Sequence, residues 1–263
     1  SRPRARTPVP RRRAARPPGS STVRDTPLAA EARRKLLATG LSRLGYAPTD
    51  DQLARLLRYV DEIELWNPRL KLVGASGREL IVRHVLDCVA GAAALRASEG
   101  SSAALHGAQA ARASGPSLPA TVADMGSGAG LPGIPIAIMH PETKVDLVER
   151  SGRRAGFLRN AVAAARVENA SVLNTEAERY GRRVDLVVHR AFLPLTADLL
   201  AVLRRSLVPG GAVCAYKGRR EAMDAELEQL DGEDAPEIEV VPVSVPYLEE
   251  ERHLVVMRWP IPA

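Results

Sequence analysis

The sequence predicts an α/β fold with a mostly parallel seven-stranded sheet, preceded by a small helical cap. Three observations lead to this prediction. Helical periodicity dominates residues 27–96, strand-like and helical segments alternate over residues 120–263, and a glycine-rich turn follows the first of these strands. Alternating strands and helices form parallel sheets because each crossover helix returns the chain to the same edge of the sheet.

The predicted cap contains three helices. The first has a leucine stripe at three- and four-residue spacing, formed by Leu36, Leu37, Leu41 and Leu44. The second begins near Thr49, whose hydroxyl is a capping oxygen, and ends at Asn67-Pro68 because proline restricts the backbone of the preceding residue. The third helix begins near Arg78. These helices are expected to pack as one unit beside the sheet.

Seven strands are predicted in residues 120–263. Their ranges are Thr121–Asp124, Lys144–Glu149, Ala170–Leu173, Val184–Val188, Gly211–Lys217, Glu237–Val245 and Arg252–Trp259. Helical patterns fill the first five gaps between them. No helix separates the last two strands, so this pair is predicted to be an antiparallel hairpin.

The net charge of +6 belongs to the start of the chain and not to the folded body. Eight arginines and no acid occur in residues 1–24, and without these residues the net charge is −2. Residues 1–26 are therefore predicted to be a disordered basic arm. This arm could contact phosphates, act as a transit peptide or be a solvated terminus without a role. Residues 97–119, rich in alanine, serine and glycine, are predicted to form a linker or an insertion.

Composition excludes several classes of protein. No apolar run reaches the length of about 18 residues that a membrane span needs. The two cysteines, Cys88 and Cys214, provide neither a disulfide framework nor a metal-ligand spacing. Aromatic residues make up only 3% of the chain, which argues against base stacking as the main mode of nucleic-acid binding. We therefore expect a cytoplasmic monomer without a metal.

The glycine-rich turn predicts the cofactor site. Gly126, Gly128 and Gly130 allow a tight turn and a close approach of the backbone to a ligand. Their spacing is G-x-G-x-G, whereas the dinucleotide fingerprint, whose helix start binds a pyrophosphate, is G-x-G-x-x-G. Asp124 is a candidate partner for the ammonium group of S-adenosylmethionine, and the alternative is a cap on the following turn.

Glu149 ends the second predicted strand, about 20 residues after the turn. A carboxylate at this position can accept both ribose hydroxyls of an adenosine through its two oxygens. The alternative is a surface acid paired with Arg150 or Arg153. A ribose contact fits dinucleotides as well as S-adenosylmethionine, so Glu149 predicts an adenosine-containing cofactor without deciding the reaction.

Several separated blocks, in order, resemble the RsmG (GidB) family of methyltransferases, which act on N7 of a guanine in 16S rRNA. These blocks are DMGSGAGLPGIPIAI (124–138), ERSGRRAGFLRNAV (149–162), HRAFLPL (189–195), YKG (216–218) and ERHLVVM (251–257), with WNPRLKLVGA (66–75) and RHVLDCVA (83–90) upstream. The resemblance implies a Rossmann-like class I methyltransferase whose partner is 16S rRNA or the small ribosomal subunit.

The resemblance also implies specific residues of the cofactor site. It places Gly126, Leu131, Ala177, Glu178 and Arg190 against S-adenosylmethionine, and Arg190 follows the fourth strand in the region where methyl transfer occurs. The serine that the family commonly has before this arginine is replaced by histidine, at position 189.

Methylation of guanine N7 needs neither a strong base nor a covalent nucleophile, because the nitrogen lone pair is nucleophilic without losing a proton. The enzyme has to align the atoms and exclude water. Arg190 or Lys217 could bind guanine O6, as arginine and lysine do in groove recognition. His84 and Asp87 share a helix face; they either face the catalytic cleft or fix the cap to the sheet.

Basic residues follow several predicted strands and could form a positive rim for RNA phosphates. The RNA-binding candidates are Arg153, Arg154, Lys217, Arg252 and His253. The alternative for each is an ordinary solvated surface. Other functions stay open as well: a methyltransferase acting on another RNA, a protein or a small molecule, a nicotinamide-dependent oxidoreductase, or a domain that binds RNA without catalysis.

Overall fold

The computed structural model describes residues 30–105, 117–191, 194–228, 230 and 235–260. The predicted disordered arm therefore lies outside the described residues. Seven strands form one sheet: β1 (Thr121–Met125), β2 (Lys144–Val148), β3 (Ala170–Leu173), β4 (Val184–Arg190), β5 (Leu207–Lys217), β6 (Glu237–Pro242) and β7 (His253–Arg258). Their ranges agree with the predicted ones within a few residues, and the largest difference is the earlier start of β5.

The strand order is β3-β2-β1-β4-β5-β7-β6. Strands β1 to β5 run parallel, while β7 is antiparallel to both β5 and β6. The predicted antiparallel last pair is thereby confirmed. The chain turns from one side of the sheet to the other next to β1, and ligands of α/β proteins bind in the crevice at the carboxyl ends of such strands.

The described helices surround this sheet. They are α1 (Ala30–Arg43), α2 (Asp50–Leu70), α3 (Gly77–Leu80), α4 (Asp87–Leu105), α5 (Gly133–Met139), α6 (Gly152–Ala164), α7 (Ala197–Arg205) and α8 (Arg220–Leu227). A π-helical segment, Ile81–Leu86, joins α3 to α4, and a 3₁₀ turn, Ala177–Arg179, follows β3. Within the described ranges, none of the helices combines the length and apolar character of a membrane span.

Helix α2 begins as predicted but ends later. Thr49 accepts the backbone N–H of Gln52, and the Gln52 side chain accepts the N–H of Thr49, which completes a capping box. The predicted end at Asn67-Pro68 is wrong, because Pro68 lies inside the last turn. The helix instead closes at Lys71, whose left-handed backbone directs its N–H to the carbonyl of Asn67.

The third helix of the cap is also longer than predicted. It runs through α3, the π-helical segment and α4 to residue 105. Residues 97–105 of the predicted linker or insertion (97–119) therefore belong to this helix, where frequent alanine favours a helical backbone. Residues 106–116 of this segment lie outside the described residues.

The cap packs on one face of the sheet. Leu37 and Tyr59 of the cap belong to one apolar cluster with Ile134 of α5 and Phe157 of α6. A second cluster, on the other face, contains Leu200 and Leu203 of α7 with Ala123 and Met125 of β1. Side chains of a strand alternate between the two faces, so β1 contributes to both clusters. The cap thereby lies over the start of α5, where the glycine-rich turn ends.

Candidate active site

The glycine-rich turn leaves the carboxyl end of β1 with a left-handed backbone at three positions. The φ angles of Gly126, Gly128 and Gly130 are 70°, 54° and 87°, values that residues with a Cβ rarely adopt. A Cβ on Gly130 would also lie 2.5 Å from the side chain of Ile134. The tight turn predicted from the glycine spacing is therefore confirmed.

Glu149 connects this turn to the start of α6. Its side chain is nearly fully buried; Oε2 accepts the Gly128 N–H at 2.9 Å and Oε1 accepts the Ser151 N–H at 2.8 Å. Each carboxylate oxygen can accept two hydrogen bonds, so acceptor capacity remains on both. This arrangement is compatible with the predicted contact to a pair of ribose hydroxyls.

Glu149 borders a cavity of about 320 Å³ at the carboxyl edge of the sheet, which we call the cofactor cavity. Four of the predicted cofactor residues border it: Gly126, Glu149, Ala177 and Glu178. Gly128 and Leu131 do not border it; Gly128 contacts Glu149, and Leu131 is buried next to the turn. An acid with spare acceptor capacity beside a glycine turn fits the adenosine and amino-acid parts of S-adenosylmethionine.

One oxygen of Asp124 has the capping role that the sequence left open as an alternative. Its side chain is fully buried, and Oδ2 accepts the N–H of Gly133, the first residue of α5, at 3.0 Å. Burial, only partly offset by this hydrogen bond, raises the pKa of the carboxyl to about 7. Asp124 thus caps α5 from below the turn, and it does not border the cofactor cavity.

A second cavity, of about 380 Å³, lies beside the first and is called the acceptor cavity here. Five of the predicted catalytic and RNA-binding residues border it: Asp87, Arg190, Lys217, Arg252 and His253. They come from α4 and from the carboxyl ends of β4 and β5 with the neighbouring start of β7. The fold therefore brings together residues that are widely separated in the sequence.

Asp87 lies between two guanidinium groups of the acceptor cavity. Its Oδ2 is 3.3 Å from Nη2 of Arg190, and its Oδ1 is 3.4 Å from Nε of Arg252. The Asp87 side chain is only 5% exposed, and burial raises its pKa although both arginines act in the opposite direction. The three residues together carry a net positive charge beside the cavity, which suits an anionic substrate.

The π-helical segment anchors Arg190. Its Nη2 donates to the carbonyl of Arg83 at 3.0 Å and to Nδ1 of His84 at 2.8 Å. In a regular α-helix the N–H of Asp87 would bond to the Arg83 carbonyl, but here it donates to the His84 carbonyl. This bond spans three residues, as in a 3₁₀-helix, at the end of the π-helical segment, and the Arg83 carbonyl accepts a hydrogen bond from Arg190. Such segments are frequent at functional sites.

Lys217 has a partner that the sequence did not predict. Its Nζ is 2.5 Å from Oε2 of Glu226 in α8, and the same oxygen accepts the N–H of Leu195. Lys217 is thus held in an ion pair at the wall of the acceptor cavity. Next to it, Nδ1 of His253 donates to the carbonyl of Gly218 at 2.9 Å.

Arg153 and Arg154 lie in the first turn of α6, and both are exposed. Arg154 also borders the cofactor cavity together with Arg150. None of the three forms an ion pair within the part of the chain that the structure describes. Basic residues in a first turn oppose the helix dipole, so their position is unfavourable for the helix itself.

Ala191 borders both cavities and was not predicted. It follows Arg190 directly and has a φ of 49°, which is rare for a residue other than glycine. Strained backbone of this kind occurs often at functional sites. No local sequence signal distinguishes this alanine from the many others in the chain.

Tyr59 is a second residue that sequence reasoning missed. It lies in α2, and its hydroxyl donates to the carbonyl of Ala129 in the glycine-rich turn at 2.8 Å. The helical spacing from Leu56 to Ile63 would have placed it on the buried face, but only the packing of the cap reveals its partner. Among the described residues, no group of three or more His, Cys, Asp or Glu side chains could hold a metal ion.

The strand order and the cofactor cavity at its carboxyl edge define a Rossmann-like methyltransferase that uses S-adenosylmethionine. The family model described as rRNA small subunit methyltransferase G, or GidB, matches residues 52–255. The chain belongs to this family, as the resemblance of its sequence blocks implied.

Individual relatives agree with this assignment. The ribosomal RNA small subunit methyltransferase G of Treponema pallidum (strain Nichols) is 35% identical over 235 residues, which cover 87% of this chain and 95% of the relative. The protein of the same name from Nitrosomonas eutropha is 35% identical over 210 residues, covering 78% of this chain and 86% of the relative. The similarity therefore extends from the cap to the last strands.

Solved structures resemble the chain more remotely. A precorrin-6y C5,15-methyltransferase from Geobacter metallireducens has a TM-score of 0.41 at 14% identity, covering 53% of this chain and 79% of that chain. The Methanococcus jannaschii fibrillarin pre-rRNA processing protein has a TM-score of 0.41 at 18% identity, covering 54% and 66%. The fold class rests on the strand order and not on these similarities.

Proposed function

We propose that this protein transfers the methyl group of S-adenosylmethionine to N7 of a guanine in the RNA of the small ribosomal subunit. The proposal is carried by the junction of two cavities at the end of β4. Glu149 borders the cofactor cavity, Arg190 borders the acceptor cavity, and Ala191 borders both. The names of the relatives point to small-subunit rRNA as the substrate, which would place the protein in the cytoplasm.

Positioning is the main task of the residues in this reaction. When bound, S-adenosylmethionine supplies a methyl group that its sulfonium has already activated. Guanine N7 attacks with an in-plane lone pair, so no proton has to leave before transfer. The protein therefore aligns the base and excludes water. Nδ1 of His84 accepts a hydrogen bond from Arg190, so this nitrogen holds the guanidinium and is not available to remove a proton.

Arg190 is the proposed contact to guanine O6. Its Nη2 is held by the Arg83 carbonyl and by His84, so a base would be bound through the other guanidinium nitrogens. Guanine O6 is an acceptor next to N7, and arginine is a common partner for this edge. In this proposal His84 and Asp87 act through Arg190 and are positioning residues. Asp87 would also stabilise the positive charge that the purine ring gains.

The basic residues around the cavities are the proposed RNA contacts. Arg153 and Arg154 are exposed at the start of α6, and Arg154 borders the cofactor cavity. Arg252 and His253 border the acceptor cavity. RNA phosphates would compensate the unfavourable position of the two arginines at the start of α6. Lys217 is paired with Glu226, which makes it a weaker candidate for a phosphate contact. Its side chain forms part of the wall of the acceptor cavity.

Site mapping of N7-methylguanosine tests the proposal. Small-subunit rRNA from cells that lack the protein is incubated with purified protein and tritium-labelled S-adenosylmethionine, as naked RNA and as assembled subunits. We expect label at one guanine in at least one of these substrates, and none with Arg190→Gln. Label in ribosomal protein, in another RNA or in a small molecule would contradict the proposal.

A further inference from the structure

We infer that Tyr59, a residue of the helical cap, positions the glycine-rich turn of the cofactor site. Tyr59 is fully buried in α2, and its hydroxyl donates to the carbonyl oxygen of Ala129 at 2.8 Å. A buried tyrosine hydroxyl needs such a partner. Ala129 lies 70 residues further along the chain, within the turn. The cap is therefore in direct contact with the backbone that shapes the cofactor site.

The turn needs support from outside. Its three left-handed glycines have many alternative conformations in a free chain, so ordering them costs backbone entropy. Glu149 supports one side by accepting the Gly128 N–H at 2.9 Å. Ala129 lies between Gly128 and Gly130. On the side of the cap, its carbonyl accepts a hydrogen bond from the Tyr59 hydroxyl. The turn is thus held between the end of β2 and helix α2.

Loss of the Tyr59 hydroxyl would leave the Ala129 carbonyl without this donor in a buried environment. An unsatisfied buried acceptor is unfavourable, and the turn would relax toward conformations that solvate it. Gly126, in the same turn, borders the cofactor cavity, whereas Tyr59 does not. The effect on the cofactor therefore passes through the backbone of the turn, which makes Tyr59 a positioning residue.

Tyr46 offers a matched control in the same cap. Its Oη lies 2.9 Å from Nε2 of His140, so it also connects the cap to the sheet domain through a tyrosine hydroxyl. His140 follows the last residue of α5, whereas the glycine-rich turn precedes the first. Neither Tyr46 nor His140 borders the cofactor cavity. We therefore expect Tyr46→Phe to remove a tyrosine hydrogen bond between the cap and the sheet domain without affecting the turn.

The experiment compares Tyr59→Phe with Tyr46→Phe in the full chain. Calorimetry gives the Kd for S-adenosylmethionine and S-adenosylhomocysteine, and thermal melts without cofactor give the stability of each variant. We expect Tyr59→Phe to raise both Kd values about 5- to 10-fold and Tyr46→Phe to leave them within about twofold. Hydrogen exchange of residues 126–131 without cofactor should be faster in Tyr59→Phe alone.

Two results would overturn the inference: a Kd for Tyr59→Phe within twofold of the wild type, or an equal increase in both variants. The inference rests on the cofactor part of the proposed function and not on the guanine. A wild-type protein that binds S-adenosylmethionine but leaves rRNA unmodified would contradict only the proposed substrate. A wild-type protein that does not bind it would overturn both.

Discussion

Arg190 donates a hydrogen bond to Nδ1 of His84 over 2.8 Å. Arginine has no acceptor, so Nδ1 is the unprotonated ring nitrogen and Nε2 carries the proton. Burial, followed by the charge of Arg190, lowers the pKa of His84 to about 4. The ring is therefore neutral at the pH of the cell. This contact sets the tautomer of the histidine and the direction of the guanidinium at the same time.

Substitution of His84 tests whether this contact orients Arg190 for catalysis. We expect His84→Ala to lower kcat about 10-fold, because the guanidinium loses a neutral acceptor. His84→Asn should restore most of this loss, since its amide oxygen can take the place of Nδ1. Steady-state kinetics with rRNA measures both. If both variants lose kcat and melting temperature in parallel, without rescue by asparagine, His84 only fixes the cap to the sheet.

Substitution of Ala191 tests whether added side-chain volume at the junction of the two cavities impairs methyl transfer. Asparagine tolerates a left-handed backbone, so Ala191→Asn adds a side chain without much added strain. We expect its kcat to fall about 10-fold or more, because the base is displaced from the methyl group. Ala191→Gly, which relieves the backbone strain, should keep near wild-type kcat. The rate of methyl transfer under single-turnover conditions checks this prediction. An unchanged rate in Ala191→Asn would show that residue 191 does not lie between the base and the methyl group.

The two arginines of α6 predict a salt-dependent RNA affinity. We expect Arg153→Ala and Arg154→Ala each to reduce the slope of log affinity against log salt by about 0.7 to 0.9. Arg183→Ala is the matched control, because Arg183 is equally exposed but borders a cavity at the opposite edge of the sheet. Filter binding at several salt concentrations gives the slopes. Equal slopes for all three variants would show that the start of α6 is an ordinary solvated surface without a role in RNA binding.

The buried side chain of His189 should make the free energy of unfolding depend on pH. Burial, followed by the charge of Lys217, lowers its pKa to about 4 in the folded state, whereas the unfolded chain binds a proton near pH 6.5. The resulting stability is complete above about pH 6.5 and is lost as the pH falls toward 4. We expect His189→Ser to reduce the slope of unfolding free energy against pH by about 1.4 kcal/mol per unit below pH 6. Urea titrations that gave the same slope for both proteins would contradict this.

Much of the sheet was predictable because its signals are local. The prediction for β3, Ala170–Leu173, coincides with the observed strand, and the absence of a helix before β7 predicted the antiparallel pair. The predicted end of α2 was wrong because a backbone hydrogen bond outweighed a local preference. Pro68 ends many helices, but here the left-handed Lys71 closes the turn after it. One oxygen of Asp124 accepts the N–H of the first residue of α5, a partner that the sequence left open as the alternative to a ligand contact.

The sequence by itself determined the parallel sheet, the glycine-rich turn and the acid at the end of β2, because each depends on neighbouring residues and on backbone conformation. Only the tertiary structure decided the partners: Tyr59 with Ala129, Asp87 with Arg252, and Lys217 with Glu226. The physical reason is that hydrogen bonds and ion pairs act over a few ångströms. The cap must first pack on the sheet before residues so distant in the chain can meet.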